Sequence, residues 1–293
     1  MRKVIALIGM LWIMGIVVLG GSSLHLEENG QKIPVEAAAA SMEGGTVRVA
    51  LEGGDYCSFT KAVYETYDSG REIVVYPGTY DIRKEYEELF DITELNDQTE
   101  LGHLFQYGVR IRERTVRFMP GARLYCVWDF PTDYSARFSP VYMAENAKIY
   151  GMDLYAEGME YAVHDDVWRT DIPYVNEYHY CRIVGRRLFG GNCIGGGVTR
   201  NTRIVIDNCY IDNGVEDSVT VRYHNTDYEN GQGDIWISNS WFNGKLALSY
   251  YGISSHLNVY VNGCEAERIE TMRETVDSVV ENIDLYEWNN ETR

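Results

Sequence analysis

None of the six cysteines in this 293-residue chain pairs with another at CxxC spacing. No Cys/His cluster has zinc-ligand spacing either. A zinc-built domain is excluded, and no metal-ligand set is assigned. No serine sits in a Gly-x-Ser-x-Gly elbow, the usual setting of an α/β-hydrolase nucleophile. Basic residues are short as well: 26 Lys and Arg face 44 Asp and Glu, a net charge of −18. Nucleic acid is excluded as a partner because its phosphates would be repelled. A polyanionic substrate is disfavoured unless a cation such as calcium bridges it. Proline is scarce, with six copies against 23 tyrosines. A hydrophobic content of 45% is enough for a full core, and the tyrosines favour β-structure.

The N-terminus reads "MRKVIALIGMLWIMGIVVLGGSS". Arg2 and Lys3 precede an apolar run from Val4 to Gly20. Residues 1–23 read as a secretory signal or an uncleaved membrane anchor, so the remainder is expected to be secreted or extracellular. Residues 24–45 read as a linker.

A repeat runs through the rest. "TRIVIDNCYIDNG" (202–214), "GDIWISNSWFNG" (233–244) and "HLNVYVNGCEAE" (256–267) share one alternation around a small central residue. Upstream, "NEYHYCRIVG" and "AKIYGMDLYAEG" fit loosely, and the last strand, "SVVENIDLYEW", fits again. The central column reads Met152, Cys181, Cys209, Ser240, Cys264, Ile283, at intervals of 29, 28, 31, 24 and 19. Period-two alternation at irregular spacing predicts a β-solenoid with fixed coils and variable turns. The cysteine column is then an interior ladder, more consistent with free thiols than with disulfides.

Residues 46–82, "TVRVALEGGDYCSFTKAVYETYDSGREIVVYPGTYDI", read as strand, turn, helix and strand. Through "GGDY…F.KAV" and "IVVYPGTYDI" the segment resembles the N-terminal opening of right-handed parallel β-helix proteins of the pectin lyase-like superfamily. Through "YAVHDD", "CIGGG", "YYG" and "LYEWNNE" the chain is similar to β-helix proteins of clostridial-type bacteria and their phages. The resemblance implies an all-β fold, a right-handed parallel β-helix over 46–293 with an N-terminal helical cap. Residues 83–113 interrupt it as a helix-and-loop excursion. The superfamily holds lyases, hydrolases, esterases, epimerases and non-catalytic tailspike or adhesin parts. The "DFIFG"-like and "GRPW"-like segments of pectin esterases are absent. So are the "WIDH" and Arg-x-Pro-x-x-Arg stretches of pectate lyases. No catalytic residue carries over.

The candidate site rests on three glycines inside "NCIGGGV" (192–198). Aligning Val163, Ile194, Val221 and Leu248 sets Gly195, Gly196 and Gly197 between His164-Asp165-Asp166 and Arg222-Tyr223-His224. Ser249-Tyr250-Tyr251 follow on the next coil. Coils two steps apart lie about 9.6 Å from each other, so a bare glycine coil predicts a slot one sugar wide. His164, Asp165, Asp166, Arg222 and His224 are the catalytic candidates. Gly195, Gly196, Gly197, Tyr223, Ser249, Tyr250 and Tyr251 are the substrate-binding ones. Asp165 and Asp166 suit acid–base work if a second carboxylate stands at glycosidase distance. For a lyase, Arg222 or His164 takes a proton alpha to a uronate carboxylate while the aspartates hold calcium. In an esterase, His164 activates Ser249. The plain alternatives are an aspartate-capped turn, a glycine turn and solvated surface. The expected function is a polysaccharide-interacting protein, either a lyase or hydrolase of a uronate-containing glycan or a non-catalytic glycan-binding attachment protein.

Overall fold

A computed structural model describes residues 24–28, 31–35, 45–89, 108–128, 139–165, 173–188, 192–198, 201–214, 219–225, 232–249, 256–272 and 283–292. The chain divides into two compact units, Met1–Gly45 and Thr46–Arg293. In the first, Leu24–Glu28 pairs antiparallel with Gln31–Val35, within the stretch read as a linker. Among the described residues no helix is long and apolar enough to cross a membrane. Residues 1–23 lie outside them.

The second unit is a parallel β-solenoid. Its chain visits three sheets in rotation, as in Tyr174–His179, Arg182–Arg186 and Asn192–Val198. The sheets have nine, eight and seven strands, and every neighbouring pair in them is parallel. Inward residues stack on their own kind. In the nine-stranded sheet Val116, Ile149, Tyr178, Ile206, Ile237 and Val261 form one buried column. In the eight-stranded sheet Leu154, Ile183, Ile211 and Phe242 form another.

The corner between these sheets explains the small-residue column. One residue there takes a left-handed conformation: Gly151, Tyr180, Asn208, Asn239, Gly263 and Asn289 in successive coils. Its N–H donates to the next coil, as in Gly151 to His179 O (2.8 Å) and Asn239 to Asn262 O (2.9 Å). Glycine and asparagine tolerate this geometry best. The following residue turns inward. Cys181, Cys209 and Cys264 are buried free thiols that donate to carbonyls of their own corners. The hydrogen bond with Cys181, and then burial, push the Cys209 thiol well above its usual value.

The last coil is phased differently from expectation. Ile283 pairs with Leu257, and the corner residue after Cys264 is Asn290, 26 positions on. Alternation alone does not fix phase; the left-handed Asn289 does. Glu287 falls in the inward column over Val261 and is exposed.

Near the N-terminal end, helix α1 (Phe59–Glu65) buries Phe59, Ala62 and Val63. Ser58 Oγ accepts from Lys61 N at 3.1 Å. Helix α2 (Ile82–Leu89) contributes Glu85, whose carboxylate accepts from Phe59 N (3.2 Å) and Thr60 N (2.7 Å). Those first-turn amides have no partner inside α1. Within the expected excursion, α2 is followed by strand Val109–Ile111, which joins the seven-stranded sheet. Residues 90–107 lie outside the described residues.

Candidate functional site

Three coils of the seven-stranded sheet align as the sequence suggests. His164 pairs with Gly195 and Gly195 with Arg222; Gly196 pairs with Tyr223 and Gly197 with His224. The fourth coil does not follow. A register shift between Val219 and Val221 sets Val221 against Leu246, not Leu248. On the side of the following coil, Ser249 pairs with Met272. Asp166, Tyr250 and Tyr251 lie outside the described residues. His224 and Ser249 are placed by their strands alone.

Asp165 and Tyr223 point into the solenoid, and both are fully buried. The Asp165 carboxylate accepts from Asn176 Nδ2 at 2.7 Å, Tyr178 OH at 2.8 Å and Tyr223 OH at 3.1 Å. Asn176 Oδ1 in turn accepts from Ala147 N at 3.0 Å. Burial, and then the Asp165 charge, push both phenols well above their usual range. Three hydrogen-bond donors aim their protons at these oxygens, an arrangement that does not suit calcium. Among the described residues no group of three or more His, Cys, Asp or Glu could hold a metal. Asp165 and Tyr223 therefore belong to the interior, not to an outward slot.

The glycines have the same explanation. Strand Asn192–Val198 is buried along its whole length. A Cβ on Gly196 would overlap the backbone oxygen of Asp165, and one on Gly195 would collide with the Asn192 amide and the Tyr161 ring. With no side chain at Gly196, Tyr223 reaches Asp165 on the far side of the glycine coil. The backbone is bare because its neighbours approach it, so the sugar-wide slot expected there is filled. His164 is nearly buried. It stacks on Tyr161 (centroids 5.2 Å) and meets the edge of Tyr142, itself buried, at 5.2 Å. Arg182, Arg186 and Arg187 each pair with an acid: Asp153, Asp212 and Glu157 respectively.

An open aromatic surface lies elsewhere. On the outward face of the nine-stranded sheet one row reads Lys148, Glu177, Val205, Trp236, Tyr260, Tyr286. The three rings stack, with centroids 4.1 Å apart for Trp236–Tyr260 and 5.0 Å for Tyr260–Tyr286. Trp236 is 40% exposed and Tyr286 47%, and Trp288, two residues along the last strand, is 42% exposed. Stacking covers one face of Trp236; the other looks over half-buried Val205. Beyond Val205 stands Glu177, which accepts from His179 Nε2 at 2.9 Å and pairs with Lys148 at 2.7 Å. These bonds outweigh burial and hold the Glu177 carboxyl below its usual value.

None of these aromatics was among the sequence candidates. Their signal is one aromatic between two inward aliphatics at constant phase, in "IWI" and "VYV", repeated as "LYE". Comparison with protein-family models, curated proteins and solved structures finds no match for this chain.

Proposed function

We propose that this protein binds a polysaccharide outside the cell, along the outward face of the nine-stranded sheet. In this reading the solenoid is a right-handed β-helix of the pectin lyase-like type, α1 closes its first coil, and residues 1–23 direct export or anchor the chain. The observation that carries the reading is the exposed row of Trp236, Tyr260 and Tyr286 beside Trp288. Large exposed aromatics mark binding surfaces, because they bury much apolar area at little entropic cost. Recognition is favoured over catalysis because Asp165, the described acid among the catalytic candidates, is an interior acceptor. A second reading, catalysis near His164 and Arg222, rests on the register that sets them on either side of Gly195.

Affinity electrophoresis through gels containing single polysaccharides tests the proposal. At least one polymer is expected to retard the intact protein, and Trp236→Ala is expected to weaken retardation about 10-fold or more, the loss typical of a central aromatic contact. Retardation by no polymer, or retardation unchanged in Trp236→Ala, refutes it. Product release abolished by His164→Ala, with binding intact, favours the second reading.

A further inference from the structure

Building on the glycan-binding reading, we infer that the step at Val205 is a sugar subsite, that the ring stacks on the free face of Trp236, and that the glycan carries no acidic groups. The Trp236 ring lies within 17° of parallel to Tyr260, so its uncovered face points along the solenoid axis toward the preceding coil. That coil presents only the short Val205 in this row, and the coil before it presents Glu177. The strands carrying Trp236 and Glu177 are two coils apart, about 9.6 Å. A ring stacked on Trp236 at a van der Waals contact of about 3.5–4 Å fits within that gap with room left before Glu177. The tyrosines further along offer no such gap, because each occupies a consecutive coil and stacks on its neighbour.

Charge selects the ligand. Around the step and the stack stand Glu177, Asp207, Asp234 and Asp284, against Lys148 and Arg203, with the titratable His179 between Glu177 and Asp207. Both cations already pair with two of those acids, Lys148 with Glu177 at 2.7 Å and Arg203 with Asp234 at 3.7 Å. Asp207 accepts from Ser238 Oγ at 2.6 Å and Asn239 Nδ2 at 3.1 Å, bonds that act against burial to hold its carboxyl below its ordinary value beside the step. A uronate or sulfated chain would meet net negative charge here and over a protein of net charge −18.

The test uses the intact chain and soluble neutral, amine-bearing and uronate polymers. Val205→Tyr places a ring in the step and continues the stack. Expected is at least a 10-fold loss of retardation with an unchanged melting midpoint. Oxidative footprinting of the unmodified protein provides a readout independent of any variant: ligand should protect Trp236 more than Tyr286. If no polymer binds the parent, the glycan-binding reading itself fails. If the parent binds but Val205→Tyr binds equally well, or protection falls on Tyr286 and spares Trp236, the subsite is wrong. Tightest binding to the uronate polymer overturns the assignment of a non-acidic chain.

Discussion

Removing one donor from the Asp165 carboxylate gives a measurable loss of stability. Tyr178→Phe and Tyr223→Phe each delete one hydroxyl, at 2.8 Å and 3.1 Å from the same oxygen. Hydrogen bonds to charged groups contribute about 1.5–3 kcal/mol each, and this carboxylate is fully buried. Each single variant should lose about that much, Tyr178→Phe the more because its bond is shorter. The double variant should depart from additivity, since both donors share one acceptor. Asp165→Asn is the informative companion. Its amide oxygen can still accept from both phenols, but its NH₂ would face Asn176 Nδ2, donor to donor. Asn176 cannot turn over without losing its bond from Ala147 N. The expected cost is about 1–3 kcal/mol for the unsatisfied group. Denaturant midpoints followed by circular dichroism report all four variants. Changes below about 0.5 kcal/mol in both phenylalanine variants, a size ordinary for surface positions, would refute the buried-carboxylate account.

Other consequences follow from single positions. Tyr180 occupies the left-handed corner at φ 55° and is 65% exposed, so Tyr180→Asn or Tyr180→Gly should stabilise by about 0.5–1 kcal/mol, read as a rise in melting midpoint. Gly196→Ala should destabilise by about 1–3 kcal/mol or prevent folding, because the Asp165 backbone must move aside. Arg186, Asn243 and the Gly214 N–H, acting against burial, hold the Asp212 carboxyl below its ordinary 3.8. Its contribution is complete above 3.8 and lost as pH falls through the depressed value, so Asp212→Asn should flatten the acid limb of stability against pH. Burial pushes the Glu85 carboxyl above its ordinary 4.5 despite the α1 amides. The folded state then holds the proton more tightly, stability falls as pH rises through the interval above 4.5, and Glu85→Gln should remove that fall.

The solenoid was legible because period-two alternation recurs with the same residue types: Ile149, Tyr178, Ile206, Ile237 and Val261 do share one column. Phase was legible only where a corner residue marked it, which is why the last coil slipped to Ile283. The alignment of Leu248 failed because a register shift leaves no trace in the alternation. The space over the glycines was not legible for another reason. A run of glycines says that side chains are absent, not whether the space above them is empty. Here Tyr161 and Asn192 fill it. Conversely, Trp236 and Tyr260 sit on an outward phase that the alternation already specified, and their exposure is what distinguishes them.

The glycine run and the isolated tyrosine in an aliphatic column have one cause. Asp165 places a carboxylate where neighbouring inward positions are apolar, such as Met143 on the preceding coil. An isolated buried charge of this kind is tolerated only with donors around it. Tyr178 supplies one from a column whose other members from Val116 to Val261 are isoleucine and valine. Tyr223 supplies another from two coils away, and the bare backbone of Gly196 is what lets it reach. The cluster therefore ties three central coils together from inside, and Asn176 and Tyr178 stand on the opposite phase to the outward row that holds Trp236. Substitutions in the cluster should change stability and those at Val205 and Trp236 should change binding. A variant of Asp165 that kept its stability but lost glycan would break this separation.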